Sequence, residues 1–377
     1  MATEASFRTT VVAFSYRFWH LSIRNAETLP LGPCFFYGNH SNNYDPFMIN
    51  AFTGWGQSTA GVMTMEYMKD HPLSPFFASV GILGTQKHVT EPQLIRRIYR
   101  LLDQGRSIVI YPEGGRRWDG RPAPWIEATA KLFVRAGVPV YPIITHGSYV
   151  GWPRWARYPR PAHIELEILP ALSFDKKTPL EEALSILKAP VSSDENLVEE
   201  AIRPKSAFRP AVGLEKLLYR DPESGSSGGI RTVGGVRIES DSGAFDGRVL
   251  PDSRIQLDST GDIVLTGDLY ARIRALPYHD RLDRPRIRVR CKIKGDIDAR
   301  PVSERHAKLS LYASHLFIDG AEKYHIDLEK IRYVSTERND KLTLSLANGS
   351  LSSHFSTGGS VLQWFDEIHR IAPNIRG

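Results

Sequence analysis

Two cysteines, Cys34 and Cys291, are all that 377 residues contain. That number excludes a disulfide framework and a cysteine-based zinc site, and it fits a reducing compartment with two inert thiols. Long apolar runs are also missing: no stretch of about 18 apolar residues occurs, so no membrane-spanning helix is expected. The N-terminus lacks a charged leader followed by an apolar stretch and a small-residue cleavage site, so no signal peptide is expected. Acidic excess is absent as well. Lys and Arg number 48 against 42 Asp and Glu, giving a formal charge of +6 and a pI near 9.2. Anionic partners follow from that sign, and nucleic acid, anionic lipid and phosphorylated substrates all satisfy it.

What is present is ordinary globular composition, 41% hydrophobic and 24% charged, in a chain long enough for two or three domains. Residues 1–175 alternate short apolar strands with helical stretches, which argues for an α/β domain. Cys34–Tyr37, Ser107–Tyr111 and Val140–Thr145 read as buried strands. Leu94, Ile95, Ile98, Leu101 and Leu102 recur at helical spacing, with Gly105 as the stop, and a second helix is expected over Trp125–Ala136 before Gly137. Residues 176–210 are charged and Pro-containing and read as the end of the first domain plus a connector, with a helix over Leu180–Leu187.

The remainder is β-rich. Within 211–260, Asp221-Pro222-Glu223-Ser224-Gly225 and Glu239-Ser240-Asp241-Ser242-Gly243 hold the spacing of zinc-ribbon knuckles. The thiolates are replaced, at Asp221, Ser224, Glu239 and Ser242. Oxygen side chains hold zinc poorly, so a ribbon-like module without metal is expected. Residues 261–377 show alternating strands at Lys308–Ile318, Tyr324–Leu328, Ile331–Val334, Lys341–Leu346 and Leu351–Phe355. A closing helix over Val361–Ile371 makes a pleckstrin-homology-like or GRAM-like module the expectation for this part.

Two polar turns follow buried strands. In Asn39-His40-Ser41-Asn42-Asn43-Tyr44-Asp45-Pro46, a carboxylate five residues after a histidine can fix its tautomer and leave the other ring nitrogen to take a proton. An exposed polar loop has the same spacing. The second turn is Tyr111-Pro112-Glu113-Gly114-Gly115-Arg116-Arg117, where glycines admit a ligand close to the backbone and arginines match phosphate oxygens.

With these turns the sequence resembles the glycerolipid acyltransferase family, which includes the 1-acylglycerol-3-phosphate acyltransferases. The family's first block, Asn-His with Asp five residues after the His, stands at Asn39-His40 to Asp45. Its third, usually Pro-Glu-Gly-Thr-Arg, stands at Pro112–Arg116 with Gly115 in place of Thr. Its second, a Gly and short strand leading to a basic residue, stands at Gly81–Lys87 with Lys in place of Arg. Its fourth is matched by Val138-Pro139-Val140.

The resemblance implies that His40 and Asp45 are catalytic and that Glu113 positions Arg116 or nearby amides. Lys87, Gly114, Gly115, Arg116 and Pro139 would bind substrate. It further implies a lysophospholipid acceptor, an acyl thioester of coenzyme A or acyl carrier protein as co-substrate, and neither metal nor other cofactor. Nucleic acid is not expected as a partner, because no recognition motif is present. A catalytically silent lipid-binding or scaffold protein on the same domain is the alternative.

Such a protein is expected to sit peripherally at the cytoplasmic face of a membrane. Arg284, Arg286, Arg288 and Arg290 alternate with Pro285, Ile287, Val289 and Cys291, so a strand would gather the arginines on one face toward an anionic membrane surface. The aromatic N-terminal stretch (Phe7, Phe14, Phe18, Trp19) fits an interfacial helix or a helix packed on its own domain. The segment Trp152–Arg160 fits a lipid interface or a surface loop.

Overall fold

The computed structural model describes residues 2–28, 32–49, 59–64, 82–85, 91–226, 229–277, 284–356 and 358–375. Two compact units divide the chain. The first comprises residues 1–154, 158–208 and 251–253, and the second comprises 155–157, 209–250 and 254–377.

The first unit is a three-layer α/β domain. Its strands are β1 (Ser22–Arg24), β2 (Phe35–Gly38), β3 (Ala60–Thr64), β4 (Ile82–Thr85), β5 (Ile108–Val109), β6 (Val140–His146) and β7 (Glu165–Ile168). They form one sheet in the order β1-β7-β6-β2-β5-β3-β4, parallel except where β6 meets β7. Successive residues of β2 enter different cores, which is why that strand is apolar throughout. Phe35 and Tyr37 join Ile98, Leu102, Phe133 and Leu187. Phe36 joins Trp19, Met48, Tyr149 and Val150.

The helices are α1 (Ala2–Trp19), α2 (Asp45–Met48), α3 (Pro92–Asp103), α4 (Glu127–Ala136), α5 (Ser148–Gly151) and α6 (Leu180–Lys188). Gly105 and Gly137 follow α3 and α4 with φ of 78° and 69°, the left-handed conformation that ends helices. Helix α1 is anchored at its end, where Trp19 is buried and its indole donates to the Arg160 carbonyl at 3.0 Å. Phe14 and Tyr16 remain exposed on it. Among the described residues no helix is long and apolar enough to cross a membrane.

Residues 176–208 belong to the first unit. The connector reading of 176–210 therefore gives way: Leu187 and Val191 are buried in its core, and Glu195 is buried below its polar turns. Arg154 and Arg160 are buried too, so the 152–160 segment is neither a solvated loop nor an exposed lipid interface along its whole length.

In the second unit, β8 (Ile230–Val233), β9 (Arg237–Ser240), β10 (Asp246–Val249), β11 (Ile255–Leu257) and β12 (Ile263–Val264) form an antiparallel meander, followed by α7 (Thr266–Ala275). Asp221 is buried and accepts hydrogen bonds from Ser224 Oγ at 2.8 Å, Ser242 Oγ at 2.5 Å and the Glu223 amide at 2.8 Å. Three of the four knuckle positions thus converge. Glu239 does not: strand alternation turns it outward to Arg231, 3.4 Å away, and places Ser240 inside.

The chain then forms β13 (Ile287–Ile297), β14 (Arg300–Leu311), β15 (His315–Asp319), β16 (Lys323–Asp327), β17 (Ile331–Glu337), β18 (Lys341–Leu346), β19 (Gly349–Phe355) and α8 (Val361–Ile371). The sheet order is β16-β15-β14-β13-β19-β18-β17. Ser360 caps α8 by accepting the Gln363 amide. The run Lys308–Ile318, which reads as one strand, is two. Tyr312 and His315 close a tight turn, the Tyr312 amide donating to the His315 carbonyl at 2.8 Å, and apolar residues on both sides mask the reversal.

The arginine row also needs correcting. Arg288 and Arg290 lie exposed on β13, but Arg284 precedes the strand and Arg286 turns to Glu367 at 2.9 Å. Glu367 is fully buried, and a buried carboxylate left without a cation is costly. That demand overrides the alternation.

Candidate active site

The polar turns lie where the parallel strands β2, β5 and β6 end, the position at which α/β sheets gather ligand sites. Gly38, the last residue of β2, must be glycine, because a Cβ there would come within 2.3 Å of the Ile143 carbonyl oxygen on β6. Asn39 then ties the two strands together. Its side chain donates to the Thr145 carbonyl at 2.9 Å and accepts the Thr145 amide at 2.8 Å. This fixes the point from which His40 projects.

Asp45, fully buried at the start of α2, receives four donors. His40 Nδ1 lies 3.0 Å from its Oδ2, the Ser41 and Asn42 amides donate to the same oxygen at 2.8 Å each, and Ser148 Oγ donates to Oδ1. With Nδ1–H donated to Asp45, Nε2 is the nitrogen left to accept a proton. The Tyr111 ring stacks on the imidazole with centroids 4.3 Å apart, and its buried hydroxyl has no hydrogen-bond partner among the described residues. Burial lowers the His40 pKa below its ordinary value, against the pull of Asp45, and the charges of Arg116 and Arg154 lower it further. The ring is therefore a neutral base at pH 7.

The second turn is locked to the first, since the Arg117 amide donates to the His40 carbonyl at 2.7 Å. Gly114 has a φ of 66°, and a Cβ there would meet Ile126 at 2.5 Å, so glycine is required. Glu113, expected to position Arg116 or nearby amides, accepts a backbone hydrogen bond from Ala123 and holds the next arginine along. It holds Arg117 through both carboxylate oxygens, at 2.6 and 3.0 Å. Arg117 also donates to Glu195 at 3.2 Å and to the carbonyls of Val191 and Ser193 at 2.7 and 3.0 Å. Burial pushes the Glu113 carboxyl up to about 7 while Arg117 pulls it down. Glu195 in turn accepts Ser41 Oγ at 2.7 Å and the Tyr149 amide at 3.1 Å. The Glu113–Arg117–Glu195 cluster is thus the floor under both turns.

Of the residues singled out in the sequence, the structure brings together His40, Asp45, Glu113, Gly114, Gly115 and Arg116 in these joined turns. Lys87 lies outside the described residues. Pro139 stands apart. Its carbonyl accepts the Phe35 amide at 3.0 Å where β2 and β6 begin, the far end of strands whose other end carries His40. A role in binding substrate does not fit that place.

Arg154 was missed. It is 6% exposed, its guanidinium lies 4.1 Å over the Trp118 ring, and it donates to the Arg116 carbonyl at 2.9 Å. Glu195 and Ser148 were missed as site-building groups because only the fold brings them to Arg117 and Asp45.

Comparison with known proteins agrees with this geometry. Residues 20–146 match the Acyltransferase family model. A 1-acyl-sn-glycerol-3-phosphate acyltransferase of Pseudomonas aeruginosa is 27% identical over 166 residues, 42% of this chain and 61% of that protein. Proteins of the same description from Brassica napus (BAT2, chloroplastic) and Limnanthes alba are 26% and 24% identical over 137 and 153 residues. They are matched over 35% and 38% of this chain, and 39% and 51% of their own length. The chain thus spans about half the length of the curated relatives it matches. Among solved structures, the 1-acyl-sn-glycerophosphate (LPA) acyltransferase PlsC of Thermotoga maritima is similar, at 19% identity and a TM-score of 0.43. That match covers 49% of this chain and 76% of PlsC. The segment that holds His40, Asp45, Glu113 and Arg116 is thus similar to the Acyltransferase family model and to 1-acyl-sn-glycerol-3-phosphate acyltransferases.

Proposed function

We propose that the protein transfers a fatty acyl group from an acyl thioester to a hydroxyl of a phosphorylated lysolipid such as 1-acylglycerol 3-phosphate. The observation that carries this reading is the His40–Asp45 pair at 3.0 Å with two arginines, Arg116 and Arg154, acting electrostatically on the same imidazole. His40 Nε2 takes the acceptor's hydroxyl proton while the oxygen attacks the thioester carbonyl. The imidazolium that forms faces the Asp45 carboxylate. Collapse of the tetrahedral intermediate breaks the carbon–sulfur bond, and the thiolate recovers the proton from His40. Arg116 and Arg154, with Lys87, hold the acceptor's phosphate. Acyl-CoA and acyl carrier protein both supply the required thioester, and no metal or other cofactor enters the steps.

The protein works peripherally at the cytoplasmic face of a membrane, where a lipid acceptor resides. In the second unit we read the β8–β12 module as a zinc ribbon in which hydrogen bonds to Asp221 take the place of metal. The β13–α8 module we read as pleckstrin-homology-like.

Lipid mass spectrometry tests the activity. The purified chain is incubated with each thioester and a panel of lysolipids. Acylated product from phosphorylated acceptors is expected; intact thioester with every acceptor would contradict the reading.

A further inference from the structure

Strand β13 presents Arg288, Arg290, Lys292 and Lys294 at alternate exposed positions, with Ile287, Val289, Cys291 and Ile293 buried between them. At about 3.4 Å per residue the row is roughly 20 Å long. Exposed Lys308 of β14 stands directly opposite Arg290. Like charges opposed across a ladder repel and destabilise the sheet, so folding gives no reason for that pair.

None of these five side chains forms an ion pair or hydrogen bond among the described residues. Their other cross-strand neighbours are Ser310 and Ser303 on β14 and His354 and Ser352 on β19. Asp319 faces Lys308 from β15 without pairing, and Asp296 ends the row. The exposed large apolar side chains of the described residues all lie outside β13–β19. This face therefore offers charge alone. It has no fully exposed large apolar side chain to insert between acyl chains. The aromatic in line with Arg288 and Ser310, Phe317 of β15, is half-buried and little open to stacking with a nucleobase.

We infer that the row Arg288–Arg290–Lys292–Lys294, with Lys308, is an adsorption surface for an anionic bilayer. The choice of lipid over other polyanions rests on the proposed lysolipid acceptor. Each basic residue near an anionic surface adds a roughly constant increment of attraction, so the row binds cooperatively and is screened by salt. It differs from the arginine set read in the sequence, since Arg284 and Arg286 are replaced by Lys292, Lys294 and Lys308.

The test is co-sedimentation of the full chain with phosphatidylglycerol and with phosphatidylcholine vesicles at low salt. Arg288, Arg290, Lys292 and Lys294 are changed together to Gln, and a control changes Arg96, Arg97, Arg100 and Lys131, all exposed in the first unit. The parent should bind anionic vesicles only, and the strand variant should lose about tenfold or more of that binding. The control, with the same change in net charge, should keep it. Parent-like binding by the strand variant, or equal loss by the control, would overturn the inference. So would tighter binding to a single-stranded oligonucleotide than to vesicles. Sedimentation needs no turnover, so the outcome is independent of whether acyl transfer is found.

Discussion

Arg117 in the first unit is 1% exposed and meets two carboxylates and two carbonyls, whereas Arg290 in the second stands in solvent opposite Lys308 and meets neither. Both are arginines that follow or lie on a strand, and only their surroundings distinguish them. Burying a guanidinium is affordable only where carboxylates and carbonyls are already aimed at it. At Arg117 they are, and the cluster forms the floor beneath His40. An exposed, unpaired cation carries no such obligation to its own fold and is available to something outside it. Arg286 shows the boundary between the two cases: one position before β13, it has left the exposed row to neutralise buried Glu367.

The comparison breaks most visibly at Arg117. Arg117→Met leaves Glu113 and Glu195 buried without their shared cation, and should cost about 3–5 kcal/mol of stability, read as a lower urea midpoint. A midpoint like the parent's would mean the cluster is not the floor described.

Arg154 sharpens the contrast from the functional side. Arg154→Gln should raise KM for a phosphorylated acceptor about tenfold, as expected for losing one charge-assisted contact, with a much smaller change for an acceptor without phosphate. It also removes one of the positive charges that lower the His40 pKa. The base must be neutral to act, so activity falls as pH drops through its pKa. In the variant that pKa is higher, and the acid limb of the kcat/KM profile should move to higher pH. An unmoved limb, or equal KM increases for both acceptor classes, would remove Arg154 from the site.

Discharging the exposed row should do least to the fold. Changing Arg288, Arg290, Lys292 and Lys294 to Gln should leave the melting temperature within about 2 °C of the parent, because no contact within the fold is lost. A large drop would place these residues among the fold's own stabilising contacts.

How much of this was legible in the sequence depends on how local each signal is. His40 and Asp45 are five residues apart on one turn, and both polar turns follow buried strands, so these were readable. The helix over Val361–Ile371 was readable from its apolar pattern, and the short strand at Ile82–Thr85 was expected only through the resemblance to the family's second block. Glu195 and Arg154 were not. They reach the site from 154 and 38 residues beyond Ser41 and Arg116, and single polar residues in Pro-rich segments carry no periodicity to announce them. Arg117 was visible but ambiguous, since two adjacent arginines look alike until the fold buries one. The arginine row was misassigned at its first two members because alternation predicts a face only within the strand, and β13 begins at Ile287.

The central claim is that His40, held by Asp45, is the base for acyl transfer, and its most direct test is the rate of acylated lysolipid formation by His40→Ala against the parent under saturating thioester. The account predicts a loss of about 10²–10⁴-fold with an unchanged urea midpoint. Transfer by His40→Ala at the parent rate would contradict it.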